Sequence, residues 1–454
     1  MTTRPSRGGR RIAVIGAGPK AAALAAKTHV LNELGIVPVE LHVFERDEIA
    51  AHWTGRAGWT SGRERLGTRA EKDVGFPYHS TFRFGVRGKE IDARMQAFSW
   101  QSHLIDTGGY QHWIDAGLPS PTHRQFADYL KWVLTRAVSG VYVQRAEVIG
   151  LRYSTDGWTL DRRGPVGANS PGPYDGLVFT GHGAPAPLPH SPEVADRLLT
   201  AATHREKLSS LGLGAGSRIC VVGAGESAAS FALYIWETLG EDVTVSIISP
   251  SPPHSRAESY VEDRVYSDPQ TAAWQQLPEA VRMDFIARTD RGVISPRALG
   301  ELARARSVSF LRGRIRYVGA GTSGRILVTV DQHDEVMRRE YDLVVNCTGS
   351  SPLRQLTGLL DGTSTNSVES RLGVTLSDER ALARELDASL ALRGLWPRLH
   401  VPALAGLAQG PGFANLSSLG LLSDRVLGGY ADADHHAPPS ARPATATVAP
   451  GLGL

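Results

Sequence analysis

The chain has 454 residues, of which 41% are hydrophobic, and a formal net charge of +3 from 49 basic and 46 acidic residues. This length allows two or three globular domains, and the balanced charge gives no support for a nucleic-acid partner. No apolar run reaches the roughly 18 residues of a membrane span, so we predict no membrane span. The two cysteines, Cys220 and Cys347, lie in apolar strand-like runs, and we expect reduced, buried thiols and a cytoplasmic location.

The N-terminal region contains the first of two glycine-rich turns. Residues 1–10 are basic and are predicted to form a disordered tail, after which an apolar strand over 11–15 runs into a turn and an Ala-rich helix over 19–34. In this context glycines let the backbone approach a pyrophosphate, and the helix N-terminus presents N–H groups to it. The next strand, 39–45, ends in an acid of the kind that hydrogen-bonds a ribose hydroxyl. The predicted nucleotide contacts are Gly16, Gly18, Pro19, Ala21 and Glu45.

The segment 50–120 has little periodicity and many Trp, Arg, Gly and His residues. A loop-rich stretch of this length within a compact protein is typically functional, and we predict that it binds substrate. After it, Thr122 and Gln125 form a capping-box pattern at the start of a helix that packs into the core. Strands are predicted over 141–148 and 174–179, the second of which ends in a Thr-Gly turn.

The second glycine-rich turn, residues 223–228, also follows an apolar strand and opens an Ala-rich helix. Two such motifs predict two nucleotide cofactors and an electron path between them. The following strand, 243–248, ends without an acid, and Arg256 downstream is able to meet a 2′-phosphate, which favours NADPH over NADH. A solvent-exposed loop arginine is the alternative for Arg256. The predicted NADPH contacts are Gly223, Gly225, Glu226, Ser227 and Arg256.

The two turns predict the domain organisation. FAD is expected at the first turn, because the N-terminal domain is usually the flavin lobe in proteins with two nucleotide domains. A strand over 341–347 ends in a Thr-Gly turn like the one at 180–181, and such turns close the flavin lobe. We therefore predict an α/β fold with two Rossmann-like dinucleotide-binding domains, the NADPH domain inserted into the FAD domain, and a small substrate-binding region between them. The predicted segments are an FAD domain at 11–210, an NADPH domain at 211–338, a return to the FAD domain with a substrate-binding C-terminal segment at 339–430, and a disordered tail at 431–454.

Several flavoprotein classes carry two nucleotide domains. Disulfide reductases need a redox pair of cysteines near the flavin, and Cys220 and Cys347 are not spaced for that role. Baeyer–Villiger and flavin-containing monooxygenases carry Phe-x-Gly-x-x-x-His near the first Thr-Gly turn, but here Pro185 stands where the histidine is expected. From the turns alone, dehydrogenases and ferredoxin reductases stay open.

Distinctive segments outside the turns decide between these classes. They are Leu66 to Thr68, Glu71 to Tyr78, Phe98 to Ser102, Pro121 to Arg124, Tyr266 to Pro269, Arg288 to Val293, Gly410 to Phe413 and Leu419 to Gly428. In these segments and in the first turn the chain resembles the flavin-dependent amine N-hydroxylases of siderophore assembly. It is most similar to the lysine N6-hydroxylases of the mycobactin and nocobactin type, and the resemblance spans residues 12–428.

The resemblance implies roles for individual residues. Lys72 matches a lysine that binds the substrate α-carboxylate, and Ser423 matches a substrate-binding serine. Asp290 falls where relatives place an Asn that contacts both substrate and NADP⁺. Asp263 also replaces an Asn, and its charge would repel a carboxylate and favour an ammonium, so that a decarboxylated diamine such as cadaverine or putrescine stays open as the substrate. Ornithine is the other alternative amine. Further predicted flavin contacts are Trp53, Gly67, Leu422 and, at the Thr-Gly turn after the strand over 341–347, Thr348 and Gly349.

The resemblance also implies a reaction. NADPH reduces FAD, O₂ then forms a C4a-hydroperoxyflavin, and the terminal amine of L-lysine takes the distal oxygen to give N6-hydroxylysine for a siderophore or related product. No catalytic side chain and no metal are predicted, and the expected assembly is a homo-oligomer, a dimer or a tetramer. The competing classes are a non-catalytic flavin-binding or redox-sensing protein and a plain NADPH oxidase or ferredoxin reductase.

Overall fold

The computed structural model describes residues 9–56, 60–164, 172–181, 183–200, 208, 211–257, 264–265, 267–269, 271–290, 292–332 and 335–431. Apart from residues 9, 10 and 431, the two predicted tails lie outside this described part, as does Asp263. Arg10 belongs to the first strand rather than to a tail.

The secondary structure alternates between strands and helices in two stretches of the chain. The strands, in chain order, are β1 (Arg10–Ile15), β2 (Val39–Glu45), β3 (Val141–Arg145), β4 (Glu147–Ser154), β5 (Gly157–Arg163), β6 (Gly176–Phe179), β7 (Ala184–Pro185), β8 (Leu198–Leu199), β9 (Arg218–Val222), β10 (Thr244–Ser249), β11 (His254–Ser255), β12 (Val293–Ile294), β13 (Val308–Arg312), β14 (Arg314–Ala320), β15 (Ile326–Gln332), β16 (Glu335–Tyr341), β17 (Leu343–Asn346), β18 (Ser350–Ser351) and β19 (Arg398–His400). The α-helices are α1 (Pro19–Glu33), α2 (Thr81–Phe84), α3 (Gly88–Met95), α4 (Trp100–Asp106), α5 (Tyr110–Asp115), α6 (His123–Arg136), α7 (Glu226–Leu239), α8 (Thr271–Gln276), α9 (Glu279–Thr289), α10 (Pro296–Leu302), α11 (Pro352–Leu359), α12 (Gly362–Leu372), α13 (Glu379–Arg384), α14 (Gly406–Gln409) and α15 (Leu419–Ala431).

The first sheet is parallel and has the strand order β3-β2-β1-β6-β19. Its central strands are buried along most of their length, which explains why the sequence there is a continuous apolar run. Helix α1 is buried on most sides, because its alanines let neighbouring elements approach closely. The predicted unit of strand, turn, helix and strand is confirmed to within one residue at each boundary.

The second sheet is also parallel and has the order β13-β10-β9-β17-β8. From its outer edge inward, the second sheet has the strands β13, β10 and β9 in the same order as β3, β2 and β1 of the first sheet. The two Rossmann-like units predicted from the glycine turns are therefore present. A smaller antiparallel sheet of β14, β15 and β16 packs its apolar face on this unit, with Val318 and Val328 beside Val222 and Ile248.

The strand order corrects two predicted boundaries. Strand β17 pairs with β9 in the second sheet, so the chain does not return to the first sheet at residue 339. That return comes with β19, which pairs with β6. Strand β8 already belongs to the second sheet, ahead of the predicted boundary at 211. Local sequence could not assign these strands, because a strand that is buried on both faces carries no mark of the sheet to which it belongs.

The insertion of one unit into the other is confirmed at a short ribbon. Strands β7 and β18 pair antiparallel, with Ala184 opposite Ser351 and Pro185 opposite Ser350. The chain leaves the first unit along one strand and comes back along the other.

Helices α8 and α9 lie within the inserted segment of the sequence but pack on α14 near the C-terminus. The indole Nε1 of Trp274 lies 3.1 Å from the carbonyl oxygens of both Gly406 and Leu407 and donates to them. Nη1 of Arg282 donates to the Leu407 oxygen at 2.8 Å. Residues 271–289 thus join the C-terminal segment rather than the second sheet.

The segment that we predicted as loop-rich contains several short helices, α2 to α5, over residues 81–115. Sequence periodicity missed them because each has eight residues or fewer, too short for a repeating apolar face. The capping box on α6 is confirmed: Thr122 Oγ1 accepts from the Gln125 N–H at 3.2 Å, and the Gln125 side chain accepts from the Thr122 N–H at 2.9 Å.

Candidate active site

The first glycine turn lies between β1 and α1. Gly16 adopts a φ of +94°, which side-chain-bearing residues rarely reach, and its N–H donates to the Phe44 carbonyl at 2.8 Å. A Cβ at Gly16 would lie 2.8 Å from Oγ1 of Thr180, whereas one at Gly18 would meet no described atom within 4 Å. Gly18 is the N-cap of α1 and Pro19 follows it, at the end of the helix where the first backbone N–H groups lack partners within the helix.

Glu45 lies directly against this turn. One oxygen of its carboxylate accepts from the Ala17 N–H at 2.8 Å, and the other accepts from the Asp47 N–H at 2.9 Å. The Ala17 carbonyl in turn accepts from the N–H of Ala50 at 3.0 Å, which brings Trp53 close to the turn. The half-buried Trp53 ring packs edge-on against His123, with ring centroids 4.9 Å apart. A ribose contact by Glu45 is compatible with this position.

The second glycine turn repeats the first. Gly223 has a φ of +122°, and its N–H donates to the Ile248 carbonyl at 2.8 Å. A Cβ at Gly223 would clash with the Cys347 carbonyl oxygen, so only glycine fits. Gly225 is the N-cap of α7, and Ser227 is half-buried in its first turn. Both turns therefore have the backbone geometry that a nucleotide pyrophosphate needs.

Glu226 and Arg256 join the second turn to neighbouring segments. The Glu226 carboxylate accepts from Ser295, from its N–H at 2.6 Å and from its hydroxyl at 2.9 Å. Nη2 of Arg256 donates to the Gly67 carbonyl at 3.2 Å. Gly67, predicted as a flavin contact, therefore lies where the loop of the first unit meets the second unit. The guanidinium of Arg256 is engaged at this junction.

Thr348 and Gly349 lie at the second turn, not the first. They follow β17, and the carbonyl of the preceding Cys347 is the group that faces Gly223. The corresponding place beside Gly16 is held by Thr180. Their flavin contact was predicted on the assumption that β17 belongs to the first sheet. Because the strand order places β17 in the second sheet, that reason no longer holds.

Lys72 is the centre of a polar cluster formed by three segments of the chain. Its half-buried Nζ donates to the Ser267 hydroxyl at 2.8 Å and lies 5.8 Å from the ring centroid of Phe76. The buried Ser418 hydroxyl donates to the Ser267 carbonyl at 2.7 Å. The Gly420 N–H, in the first turn of α15, donates to the Phe76 carbonyl at 2.8 Å. These bonds hold a single cation at a partly desolvated position.

Asp73 accepts hydrogen bonds from the loop that carries Lys72. Its buried carboxylate accepts from the Gly75 N–H at 3.0 Å, the Trp100 N–H at 3.0 Å and the Tyr78 hydroxyl at 2.9 Å. Burial raises the pKa of Asp73 to about 6, against the opposing effect of these hydrogen bonds.

A second charged group lies where the first turn meets the C-terminal segment. Lys20, buried just after Pro19, donates through Nζ to the Ala414 carbonyl at 3.0 Å. Asn415 donates through Nδ2 to a carboxylate oxygen of Asp290 at 3.4 Å. Burial lowers the pKa of Lys20 to about 8, while the charge of Asp290 acts in the opposite direction. Asp290 thus lies within electrostatic range of Lys20 at the start of α1, and its contact with substrate and NADP⁺ stays a prediction.

Ser423 and Leu422 are buried within α15. The Ser423 hydroxyl donates to the Gly420 carbonyl at 2.8 Å, a bond inside the helix. Substrate contact by Ser423 and flavin contact by Leu422 therefore stay predictions. The next residue, Asp424, forms a buried ion pair with Lys27 of α1 at 2.5 Å.

Two comparisons with known sequences identify the family. The family model described as L-lysine 6-monooxygenase/L-ornithine 5-monooxygenase matches residues 94–351. L-lysine N6-monooxygenase MbtG of Mycolicibacterium paratuberculosis is 38% identical over 424 residues, which cover 92% of this chain and 95% of that protein. The chain belongs to this monooxygenase family. MbtG of Mycobacterium tuberculosis is 38% identical over 425 residues, 92% of this chain and 94% of that protein.

Solved structures of this monooxygenase family share the fold. The lysine monooxygenase NbtG from Nocardia farcinica has a TM-score of 0.78 at 37% identity, covering 92% of this chain and 99% of NbtG. The ornithine N-hydroxylase KtzI of Kutzneria sp. 744, solved with reduced FAD, NADP⁺ and L-ornithine, has a TM-score of 0.69 at 16% identity, covering 94% of this chain and 100% of KtzI. At that identity KtzI supports the fold alone.

Sequence reasoning on this monooxygenase missed several members of the polar clusters. Ser267 lies in a segment that carried the family resemblance, but nothing in the sequence marked its hydroxyl as the partner of Lys72. His79, whose Nδ1 lies 3.1 Å from a carboxylate oxygen of the neighbouring Asp268, was likewise unassigned. Lys20 stands inside the glycine motif and was treated only as part of it. The signal that the sequence offered was an ionisable residue, Lys20, at the start of an otherwise apolar helix.

The described part of the chain carries no candidate for two other kinds of site. No group of three or more His, Cys, Asp or Glu side chains there is arranged to hold a metal ion. No helix in those same residues is long and apolar enough to cross a membrane.

Proposed function

We propose that this chain is an FAD- and NADPH-dependent monooxygenase that hydroxylates the N6 amine of L-lysine, for a siderophore or related natural product. The observation that carries the proposal is the position of Lys72, a half-buried cation fixed by Ser267 where three chain segments meet. A cation in such a place suits the carboxylate of an amino acid better than a diamine. The relatives named lysine monooxygenases match over nearly the whole chain.

Each cofactor has a turn that suits it. FAD would be held at the first turn by Gly16, Gly18 and Glu45, and NADPH at the second by Gly223 and Gly225. When bound, they supply the reducing equivalents and the activated oxygen. The chain's own contribution is to orient the substrate, exclude water and control charge.

The charge on the reacting amine is the main electrostatic problem. A free lysine amine has a pKa of about 10.4 and must lose its proton before it can attack oxygen. Desolvation of the amine would favour the neutral form, while a nearby carboxylate such as that of Asp290 would favour the ammonium. The buried Lys20 ammonium offsets the charge of Asp290 in this scheme.

A substrate panel tests the proposal. Purified protein loaded with FAD is supplied with NADPH and, in turn, L-lysine, L-ornithine, cadaverine or putrescine, and hydroxylamine is measured against NADPH consumed. We expect L-lysine to give the highest ratio of hydroxylamine to NADPH. A higher ratio with a diamine would move the assignment to that amine. Consumption of NADPH to H₂O₂ alone with every amine would contradict it.

We also propose a cytoplasmic location and a homo-oligomer, a dimer or a tetramer. The use of NADPH and the two buried, unpaired cysteines support the first. The strongly exposed Phe82 and Val86 side chains are candidates for a subunit contact. Light scattering after size-exclusion chromatography, on wild type and on Phe82→Ser, tests the assembly.

A further inference from the structure

The end of β10 occupies the same place in the second unit as the end of β2 occupies in the first. The N–H of Gly16 donates to Phe44 and the N–H of Gly223 donates to Ile248, both at 2.8 Å. The residues that follow these two acceptors, Glu45 and Ser249, are therefore structurally equivalent. This is the strand end that contacts the adenosine ribose in a dinucleotide fold.

Arg312 lies beside Ser249. The two residues are register partners on the neighbouring parallel strands β10 and β13. The Gly313 N–H donates to the Ser249 carbonyl at 2.9 Å, and Nε of the exposed Arg312 donates to the Pro250 carbonyl at 3.3 Å. A guanidinium is thus held next to the strand end, where the first unit carries the carboxylate of Glu45.

Arg256, the cation that the sequence suggested for this task, has a different setting. Its guanidinium donates to Gly67 of the first unit, and its N–H donates to the Ile294 carbonyl at 2.8 Å. It lies next to Ser295 and Glu226, on the side of the glycine turn where α10 begins.

We infer that Arg312, together with the Ser249 hydroxyl, binds the 2′-phosphate of NADPH and gives this protein its preference over NADH, and that Arg256 does not. The inference rests on the proposed use of NADPH at the second turn. The planar guanidinium presents N–H groups in the fork that suits a phosphate. Ser249 adds a hydroxyl donor and, unlike an acid at this strand end, does not repel the phosphate.

Binding of two small nucleotides isolates this subsite from catalysis. The probes are 2′,5′-ADP, which carries the 2′-phosphate, and 5′-AMP, which lacks it, titrated calorimetrically into FAD-loaded protein. We expect wild type to prefer 2′,5′-ADP, and Arg312→Gln to weaken 2′,5′-ADP about 10- to 100-fold, the usual effect of losing a charge-assisted hydrogen bond. Binding of 5′-AMP should stay unchanged. Ser249→Asp should reverse the preference, because it places a carboxylate at the strand end.

Two arginines serve as matched controls. Arg256→Gln should keep the wild-type preference, as should Arg316→Gln, whose exposed side chain on β14 instead pairs with Asp331 at 2.8 Å. Loss of the preference in Arg256→Gln, or an equal loss of both probes in Arg312→Gln, would overturn the inference. Hydroxylamine formation with NADPH in wild type, measured alongside, reports separately on the proposed function. Wild type that forms hydroxylamine with NADPH and yet binds both probes equally would also overturn the inference while leaving the function in place.

Discussion

The ammonium of Lys72 and the hydroxyl of Ser267 lie 2.8 Å apart although 195 residues separate them in the sequence. This bond connects the loop of the first unit with the inserted segment, and Ser418 adds the C-terminal segment through the Ser267 carbonyl. The position of one cation therefore depends on three parts of the chain. It follows that the effects of altering Lys72 should depend on which amine is supplied.

Replacing Lys72 with Ala should raise the KM for L-lysine about 10- to 100-fold, the usual effect of losing a charge-assisted hydrogen bond to a carboxylate. The KM for cadaverine, which lacks the carboxylate, should change much less. Steady-state hydroxylamine formation with both amines measures this difference. Ser267→Ala is the matched control, since it leaves the cation in place and should give a smaller change. Equal increases for both amines in Lys72→Ala would remove Lys72 from the carboxylate role.

Asp73 should make stability depend on pH in a defined direction. Its folded pKa of about 6 lies above its unfolded value of 3.8, so the folded state binds the proton more tightly. The stabilisation is complete below pH 3.8 and is lost as the pH rises to about 6. Urea unfolding across this window should show that the free energy of unfolding of wild type falls, relative to that of Asp73→Asn, as the pH rises. The fall should be at most about 1.4 kcal/mol per pH unit. A difference that is independent of pH would contradict this account.

The ion pair between Lys27 and Asp424 fixes α15 to α1. Both side chains are almost completely buried, and the Ser80 hydroxyl lies 2.7 Å from Nζ of Lys27. Asp424→Asn should lower the free energy of unfolding by about 3–5 kcal/mol, because a buried ammonium loses its countercharge. The double variant Lys27→Met with Asp424→Leu should lose less, since it leaves no unpaired charge. If the double variant loses as much free energy of unfolding as the single variants Lys27→Met and Asp424→Leu lose in total, the two groups act independently.

Asp290 should control the ionisation of Lys20. Because its charge raises a pKa that burial lowers to about 8, Asp290→Asn should lower the Lys20 pKa further. The chain has few lysines, so the ¹³Cε resonance of Lys20 can be followed by NMR during a pH titration and assigned with Lys20→Met. The resonance of the exposed Lys131 serves as the internal reference. An unchanged Lys20 pKa in Asp290→Asn would disprove the coupling.

The local elements of this fold follow from local sequence. A turn that needs positive φ at Gly16 and Gly223, flanked by apolar strands and Ala-rich helices, has few alternatives, and both units form as predicted. The capping box at Thr122 is equally local. Features of this kind depend on residues within a few positions of one another.

Long-range pairing could not be predicted in the same way. Strand β17 has the apolar character of a central strand in either sheet, and its partner is set by the whole chain. Arg312 lies beside Ser249 although the two residues are 63 positions apart in the sequence (312 − 249). Lys72 is hydrogen-bonded to Ser267 although these two are 195 positions apart. The family resemblance identified Lys72, while the partners that hold it became visible only in three dimensions.

The most direct measurement of the central claim is the fate of molecular oxygen with L-lysine. FAD-loaded protein is supplied with NADPH, L-lysine and isotopically heavy oxygen gas, and the product is examined by mass spectrometry with fragmentation. The account predicts one heavy oxygen atom per product molecule, located on N6. Recovery of unlabelled L-lysine while NADPH and oxygen are consumed to hydrogen peroxide would contradict it.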